Sequence, residues 1–131
     1  MDDGGKRRLN IKAETVKLVL ANEAEVPKAK IVLYLLNPEH RRGKSKARFF
    51  VSRGFEAENW QNMASALRRH AAENEIAKEE TTPLGVRTVV EGAMAMPNGT
   101  LAEVRSIWFI ERGERIPRFV TAYPLKKKAA V

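Results

Sequence analysis

The sequence contains no cysteine. That excludes a disulfide framework, a thiolate metal site and a thiol nucleophile, and it is compatible with a reducing environment. No apolar run approaches the roughly 20 residues needed to span a bilayer, so no membrane partner is expected. An export leader is basic and then apolar, whereas residues 1–5 begin acidic and glycine-rich; the expected location is cytoplasmic. Histidine is scarce, with 2 in 131 residues, so His40 and His70 are the side chains that ordinarily exchange protons near neutrality. The sequence also lacks a GxxxxGK[ST] phosphate loop, an HExxH helix and a GxSxG elbow. Nor does it cluster Asp and Glu in the way a two-metal nuclease requires. No cofactor and no metal are expected, and phosphoryl chemistry here would most simply be metal-independent.

What the chain has in excess is positive charge. Lys and Arg number 24 against 16 Asp and Glu, a formal net charge of +8. Such an excess favours polyanionic partners, with RNA or another nucleic acid the leading class. Hydrophobic residues at 44% and charged residues at 31% are an ordinary globular balance, and the length suits one domain with its own core. Lys6, Arg7, Arg8, Lys126, Lys127 and Lys128 lie near the ends. The expected organisation is a flexible tail over residues 1–8, a single domain over 9–125 and a basic tail over 126–131. Charge in tails serves general attraction, so the placement of the remaining cations carries the argument.

One stretch concentrates them: Asn37-Pro38-Glu39-His40-Arg41-Arg42-Gly43-Lys44-Ser45-Lys46-Ala47-Arg48-Phe49-Phe50. A solvated helix normally interleaves Glu with Lys and Arg. Here five cations share one carboxylate, Glu39, which sits beside the histidine. Arg41, Arg42, Lys44, Lys46 and Arg48 suit phosphate, Arg as a bidentate fork and Lys as a point charge. Lys44 and Lys46 are two residues apart and cannot both face one ligand from a helix. Lys46 is the better candidate, because it shares a side with Phe49 and Phe50. His40 lies in the loop, where functional side chains concentrate, and an imidazole can take up and return a proton. A surface histidine in a solvated basic turn is the plain alternative. His70, three residues after Leu67, is expected half-buried and structural, with Arg69 facing solvent.

The hydrophobic pattern predicts an α+β domain, with N-terminal helices packed on a C-terminal antiparallel sheet of three to four strands. Residues 15–21 suit a first strand, with helix as the alternative. Pro27 opens a helix carrying Ile31, Val32, Leu35 and Leu36 on its apolar side, and Pro38 stops it at Asn37. A short helix over residues 44–53 is expected to bury Ala47, Phe50 and Val51 and to end at Gly54. The longest helix, residues 57–74, carries the stripe Trp60, Met63, Ala64, Leu67 and Ala71. From Ile76 the period changes to two. Pro97-Asn98-Gly99-Thr100 and the region of Arg112-Gly113-Glu114 mark hairpin turns between strands. Short connections make those strands antiparallel. On the last strand strict alternation sends Arg118, Val120 and Ala122 one way and Phe119, Thr121 and Tyr123 the other. Trp108 and Phe109 fall on opposite faces, so one of them is available as a stacking platform.

Two segments resemble a known pattern. The stretch from Tyr34 through Phe50 is similar to the signature of a bacterial family whose members read much like LLNPEHPxGxSKARFF. Val104-Arg105-Ser106-Ile107-Trp108-Phe109-Ile110 and Pro117-Arg118-Phe119-Val120-Thr121-Ala122-Tyr123-Pro124 resemble the close of the same domain. More distantly, the helices-then-sheet order and the final VTAYP strand resemble the barnase–EndoU–colicin–RelE group of ribonuclease toxins. That likeness implies metal-independent RNA cleavage, in which the ribose 2′-hydroxyl attacks the adjacent phosphorus. It implies His40 as acid or base, Lys46 and Arg48 steadying the phosphorane, and Thr121 or Tyr123 orienting the phosphate. Arg41, Arg42, Lys44, Arg48 and Arg118 would then hold nucleic acid, and an acidic antitoxin protein is the implied partner. Arg41 stands where the family pattern carries proline, which would free the loop around His40. Two alternatives stay open at this point: a non-enzymatic nucleic-acid-binding domain, and a protein-interaction module, both using the same basic patch.

Overall fold

The computed structural model of the chain describes residues 16–125. Both expected tails, and residues 9–15 of the expected domain, lie outside that range. A 3₁₀ turn, Ala21–Glu23, comes first, followed by helix α1. Helix α1 starts as an α-helical turn, Lys28–Lys30, and continues as the π-helical segment Ile31–Leu35. Helix α2 is Lys44–Ser52, a second 3₁₀ turn is Ala57–Asn59, and α3 is Trp60–Glu73. The strands β1 Ile76–Thr82, β2 Gly85–Ala95, β3 Leu101–Glu111 and β4 Arg118–Pro124 form one antiparallel sheet in chain order. The α+β class, with helices before the sheet, is therefore the observed fold. No helix among the described residues is long and apolar enough to cross a membrane.

The sheet's inner face is built by alternation. Val104, Ser106 and Trp108 of β3 and Val90 and Met94 of β2 are buried against α3, whose Met63, Ala64, Leu67 and Ala71 supply the stripe read from the sequence. Trp108 meets Phe119 edge to face at 5.4 Å between ring centroids. Phe50, fully buried, brings α2 into the same core. Burying a side chain of that size stabilises the fold by about 2–3 kcal/mol. Val51 does not follow Phe50 inward and is 41% exposed, because the apolar face of so short a helix is filled by Ala47 and Phe50. Gly54, at φ 107°, ends α2 in the left-handed region where glycine is the favoured residue.

Three further expectations are corrected. Residues 16–21 form neither strand nor regular α-helix. Leu18, Ala21 and Ala24 are buried at a spacing of three, and Leu20 turns through φ 62° to start the 3₁₀ turn. Strand-like composition loses here to a segment that plugs the core against α3. His70 is 2% exposed rather than half-buried, because three partners satisfy its ring in the core. Arg69 is exposed, as expected. The third correction concerns β4. Trp108 pairs with Phe119 and Ile107 with Thr121, so Val120 is the extra residue of a β-bulge. Phe119 and Ala122, three apart, are therefore both in the core, while Thr121 and Tyr123 turn away from it.

The edge of β4 sets the position of α1. Glu25 forms a parallel bridge with Arg118, donating to the carbonyl of Pro117 at 2.8 Å and accepting from the amide of Phe119 at 2.8 Å. Lys30 Nζ then donates to the bulge carbonyl of Val120 at 3.0 Å. One helical turn later Tyr34 arrives beside Thr121.

Candidate functional site

Tyr34 is the residue on which the site converges. It lies in the π-helical segment, where the amide of Leu36 bonds the carbonyl of Ile31 at 2.8 Å, five residues back. The widened turn buries Ile31, Leu35 and Leu36 together and leaves Tyr34 half-buried at the boundary. Single π-type turns occur frequently at functional sites. Across from Tyr34 stands Thr121, turned away from the core by the bulge at Val120. A hollow of about 350 Å³ opens between them, lined by Ala29, Lys30, Tyr34, Val120 and Thr121.

Lys46, from the first turn of α2, reaches into this corner. Its ammonium donates to the Tyr34 hydroxyl and lies 3.5 Å from Thr121 Oγ1. It also lies 5.4 Å from the centroid of the Tyr123 ring. Burial pushes the Tyr34 phenol up. The hydrogen bonds to Lys46 and Thr121 and the charges of Lys46 and Lys30 outweigh it, so the phenol lies below the ordinary tyrosine value.

His40 closes the cluster from the loop. Its ring meets Tyr34 edge to face, at 4.8 Å between centroids and 89° between planes. Its Nδ1 accepts the backbone N–H groups of Arg42 and Gly43 at 3.1 and 3.0 Å. With Nδ1 committed as an acceptor, a neutral His40 carries its proton on Nε2. The loop is not freed by Arg41. The Asn37 side chain donates to the carbonyl of Leu33 and accepts from the amide of Glu39, and the His40 amide donates to the carbonyl of Asn37. These local bonds do the work that a proline would do. Gly43 belongs to the same construction, since a Cβ there would come within 3.0 Å of the Tyr34 ring and 3.2 Å of its carbonyl.

Tyr123, two residues beyond Thr121, is oriented from the outer face of the sheet. Arg105 Nη1 donates to its hydroxyl at 2.9 Å, and Arg105 Nε donates to Glu91 at 2.6 Å. The hydrogen bond to Tyr123 and the pairing with Glu91 hold the Arg105 guanidinium above its ordinary range. Arg41, Arg42, Lys44 and Arg48 are exposed, the first two in the loop after His40 and the others on α2, two residues either side of Lys46. Arg118 is different, because its guanidinium is taken up by Glu111. Trp108 lies in the core and Phe109 half-buried on the outer face, so Phe109 is the one of the pair that remains accessible.

The structure thus brings Lys46 and Thr121 into contact, sets Tyr123 against Lys46, and joins His40 to them through Tyr34. Sequence reasoning missed Tyr34, Lys30, Arg105 and Glu91 as members of this network. The available signal was the i, i+4 spacing of Lys30 and Tyr34, one step off the helix's apolar side. Among the described residues no group of three or more His, Cys, Asp or Glu side chains is arranged to hold a metal ion.

The same fold occurs in a chain of a contact-dependent growth inhibition toxin–immunity protein complex from Klebsiella pneumoniae 342. That chain is 17% identical, with a TM-score of 0.63, and the match covers 78% of this chain and 100% of the other. No curated protein matches the sequence. Over residues 17–126 the sequence matches a family model, and the chain belongs to the family described as Domain of unknown function (DUF6883).

Proposed function

We propose that this domain is a toxin-type, metal-independent ribonuclease that cleaves RNA by attack of the ribose 2′-hydroxyl on the adjacent phosphorus. The observation that carries the reading is the Lys46 ammonium held between the hydroxyls of Tyr34 and Thr121, with His40 against the Tyr34 ring and the exposed cations Arg41, Arg42, Lys44 and Arg48, taken here as a basic rim, on the adjoining loop and helix. A phosphorane gathers negative charge on its equatorial oxygens, and a fixed ammonium with neighbouring hydroxyl donors is the preorganised environment that such charge needs. Thr121 and Tyr123 orient the phosphate, and His40, with its proton on Nε2, donates a hydrogen bond to the leaving oxygen. Arg41, Arg42, Lys44 and Arg48 track the backbone of the strand. Arg118 contributes through general charge, since Glu111 already pairs it.

The fold shared with a chain from a toxin–immunity complex supports the toxin reading at the level of architecture. A domain of this charge is held silent most simply by an acidic protein laid over the same rim.

The test is a gel of total RNA incubated with pure protein in EDTA, with wild type beside His40→Ala. Cleavage by the wild type, leaving cyclic-phosphate ends, and a strong loss in the variant are expected. Intact RNA in both lanes removes the ribonuclease reading. A shifted but uncut band would then assign the rim to binding alone.

A further inference from the structure

Building on that reading, we infer that Tyr34 is a catalytic residue of this site, the group that takes the proton from the attacking 2′-hydroxyl. Three features of the structure lead there. His40 spends Nδ1 on two backbone amides, so the nitrogen left to face a ligand is a donor and a second group must accept the first proton. Tyr34 lines, with Lys30 and Thr121, the hollow in which a phosphodiester would lie, and its hydroxyl accepts from Lys46 beside Thr121. Two backbone irregularities, the π-helical turn under Tyr34 and the bulge before Thr121, meet at that hydroxyl. Irregularities of this kind recur where a side chain is re-aimed for function.

The titratable and charged groups around the phenol are consistent with the role. Lys46 from α2 donates to it, and Lys30 from α1 adds a second positive charge. His40 abuts it from the loop, and Tyr123 from β4 shares Lys46 with it. Both cations favour the phenolate, which is the form a base requires. The step balances with no reagent besides solvent water. The Tyr34 oxygen removes the 2′-hydroxyl proton as O2′ bonds to phosphorus. The bond from phosphorus to O5′ then breaks while His40 Nε2–H donates a hydrogen bond to O5′; O5′ takes its proton from solvent water, and Tyr34 returns the abstracted proton to solvent. The products are a 2′,3′-cyclic phosphate and a 5′-hydroxyl.

The experiment compares wild type, Tyr34→Phe and Lys46→Gln in single-turnover RNA cleavage in EDTA across a pH series. Binding of a 2′-O-methyl RNA, which cannot react, is measured in parallel. Phenylalanine keeps the ring that packs on His40 and removes the hydroxyl alone. Cleavage is expected to fall about 10²- to 10⁴-fold in Tyr34→Phe, the range for loss of a general base, while binding of the inert RNA stays within a few-fold. The wild-type rate is expected to climb with pH up to the Tyr34 ionisation. That limb moves to higher pH in Lys46→Gln, because the ammonium that favours the phenolate is gone. A wild type that cuts RNA beside an equally active Tyr34→Phe overturns this inference and leaves the ribonuclease reading standing. A wild type that does not cut overturns both.

Discussion

Acidification will destabilise this protein through His70, and the size of the effect follows from the core. Trp108 Nε1 donates to Ser106 Oγ at 2.8 Å, and Ser106 Oγ lies 3.0 Å from His70 Nδ1. His70 Nε2 lies 3.1 and 2.9 Å from the carbonyl oxygens of Gly92 and Val104. Carbonyls only accept, so Nε2 carries the proton and Nδ1 accepts from the Ser106 hydroxyl. A second ring proton would take away the acceptor that Ser106 uses. Burial is the main cause holding His70 below the ordinary histidine value, opposed by its bonds to the two carbonyls. In the unfolded chain the same ring titrates at about 6.5.

The direction of the effect follows from proton uptake. Above about pH 6.5 neither state binds the proton, and stability is flat. Below it the unfolded chain takes up a proton that the native state refuses, so stability falls as pH falls, until the native pKa is reached. At about pH 5.5 the loss is at most about 1.4 kcal/mol relative to about pH 7.5. With a urea m-value of about 1–3 kcal/mol/M, the midpoint moves down by about 0.5–1.4 M. Urea melts of wild type and His70→Gln at both pH values read this out. His70→Gln is expected to be less stable at both, by about 1–3 kcal/mol for disturbed buried hydrogen bonds, but without most of the pH-dependent drop. An equal drop in the two proteins would refute the assignment to His70.

Two further predictions concern the corner around Tyr34. Gly43→Ala pushes the Tyr34 ring away from a Cβ that would lie at 3.0 Å, while the backbone at φ −100° accepts alanine. Stability should change by less than about 1 kcal/mol while RNA cleavage falls about tenfold to 10²-fold, since small displacements at a reacting centre are costly. Undiminished cleavage would mean that the position of Tyr34 does not matter. Neutralising Arg41, Arg42, Lys44 and Arg48 together to Gln should lower the salt dependence of binding to an inert single-stranded RNA. The log–log slope should fall by about 0.7 for each phosphate that the variant no longer neutralises. Fluorescence anisotropy across a salt series measures it, and an unchanged slope would take the rim off the RNA.

The regular parts of this fold were legible because their periods are local. Trp60, Met63, Ala64, Leu67 and Ala71 repeat at helical spacing, and all but the half-buried Trp60 pack fully inside. Gly54 and Asn98-Gly99 mark real chain reversals. The short helix over Lys44–Ser52 was readable for the same reason, and with it the inward-leaning Lys46. The segment around Leu18, Ala21 and Ala24 was not, since its spacing of three belongs to neither a strand nor an α-helix. The burial of His70 was hidden too, because its partners come from β2 and β3, at sequence separations of 22 to 36.

The candidate site was half legible, and the missing half has one physical origin. A tyrosine at position 34 and a threonine at 121 meet only because two regular elements are locally irregular. Without the bulge at Val120, alternation would place Thr121 on the face of Phe119, inside the core and away from Lys46. Without the π-helical turn, Leu36 would not stack with Leu35 over Ile31, and α1 would present a different face to β4. Both irregularities are held by long-range partners: Lys30 takes the carbonyl of the bulge residue, and the apolar side of α1 is buried in the core. A period read along the chain registers neither, because each fits the pattern of a regular element to within one residue. The positions where periodic reading fails, Val120 and the turn carrying Tyr34, are also where the chain gathers a phenol, a hydroxyl, an ammonium and an imidazole. That coincidence is the structural argument for regarding this corner, rather than the exposed rim alone, as the working part of the domain.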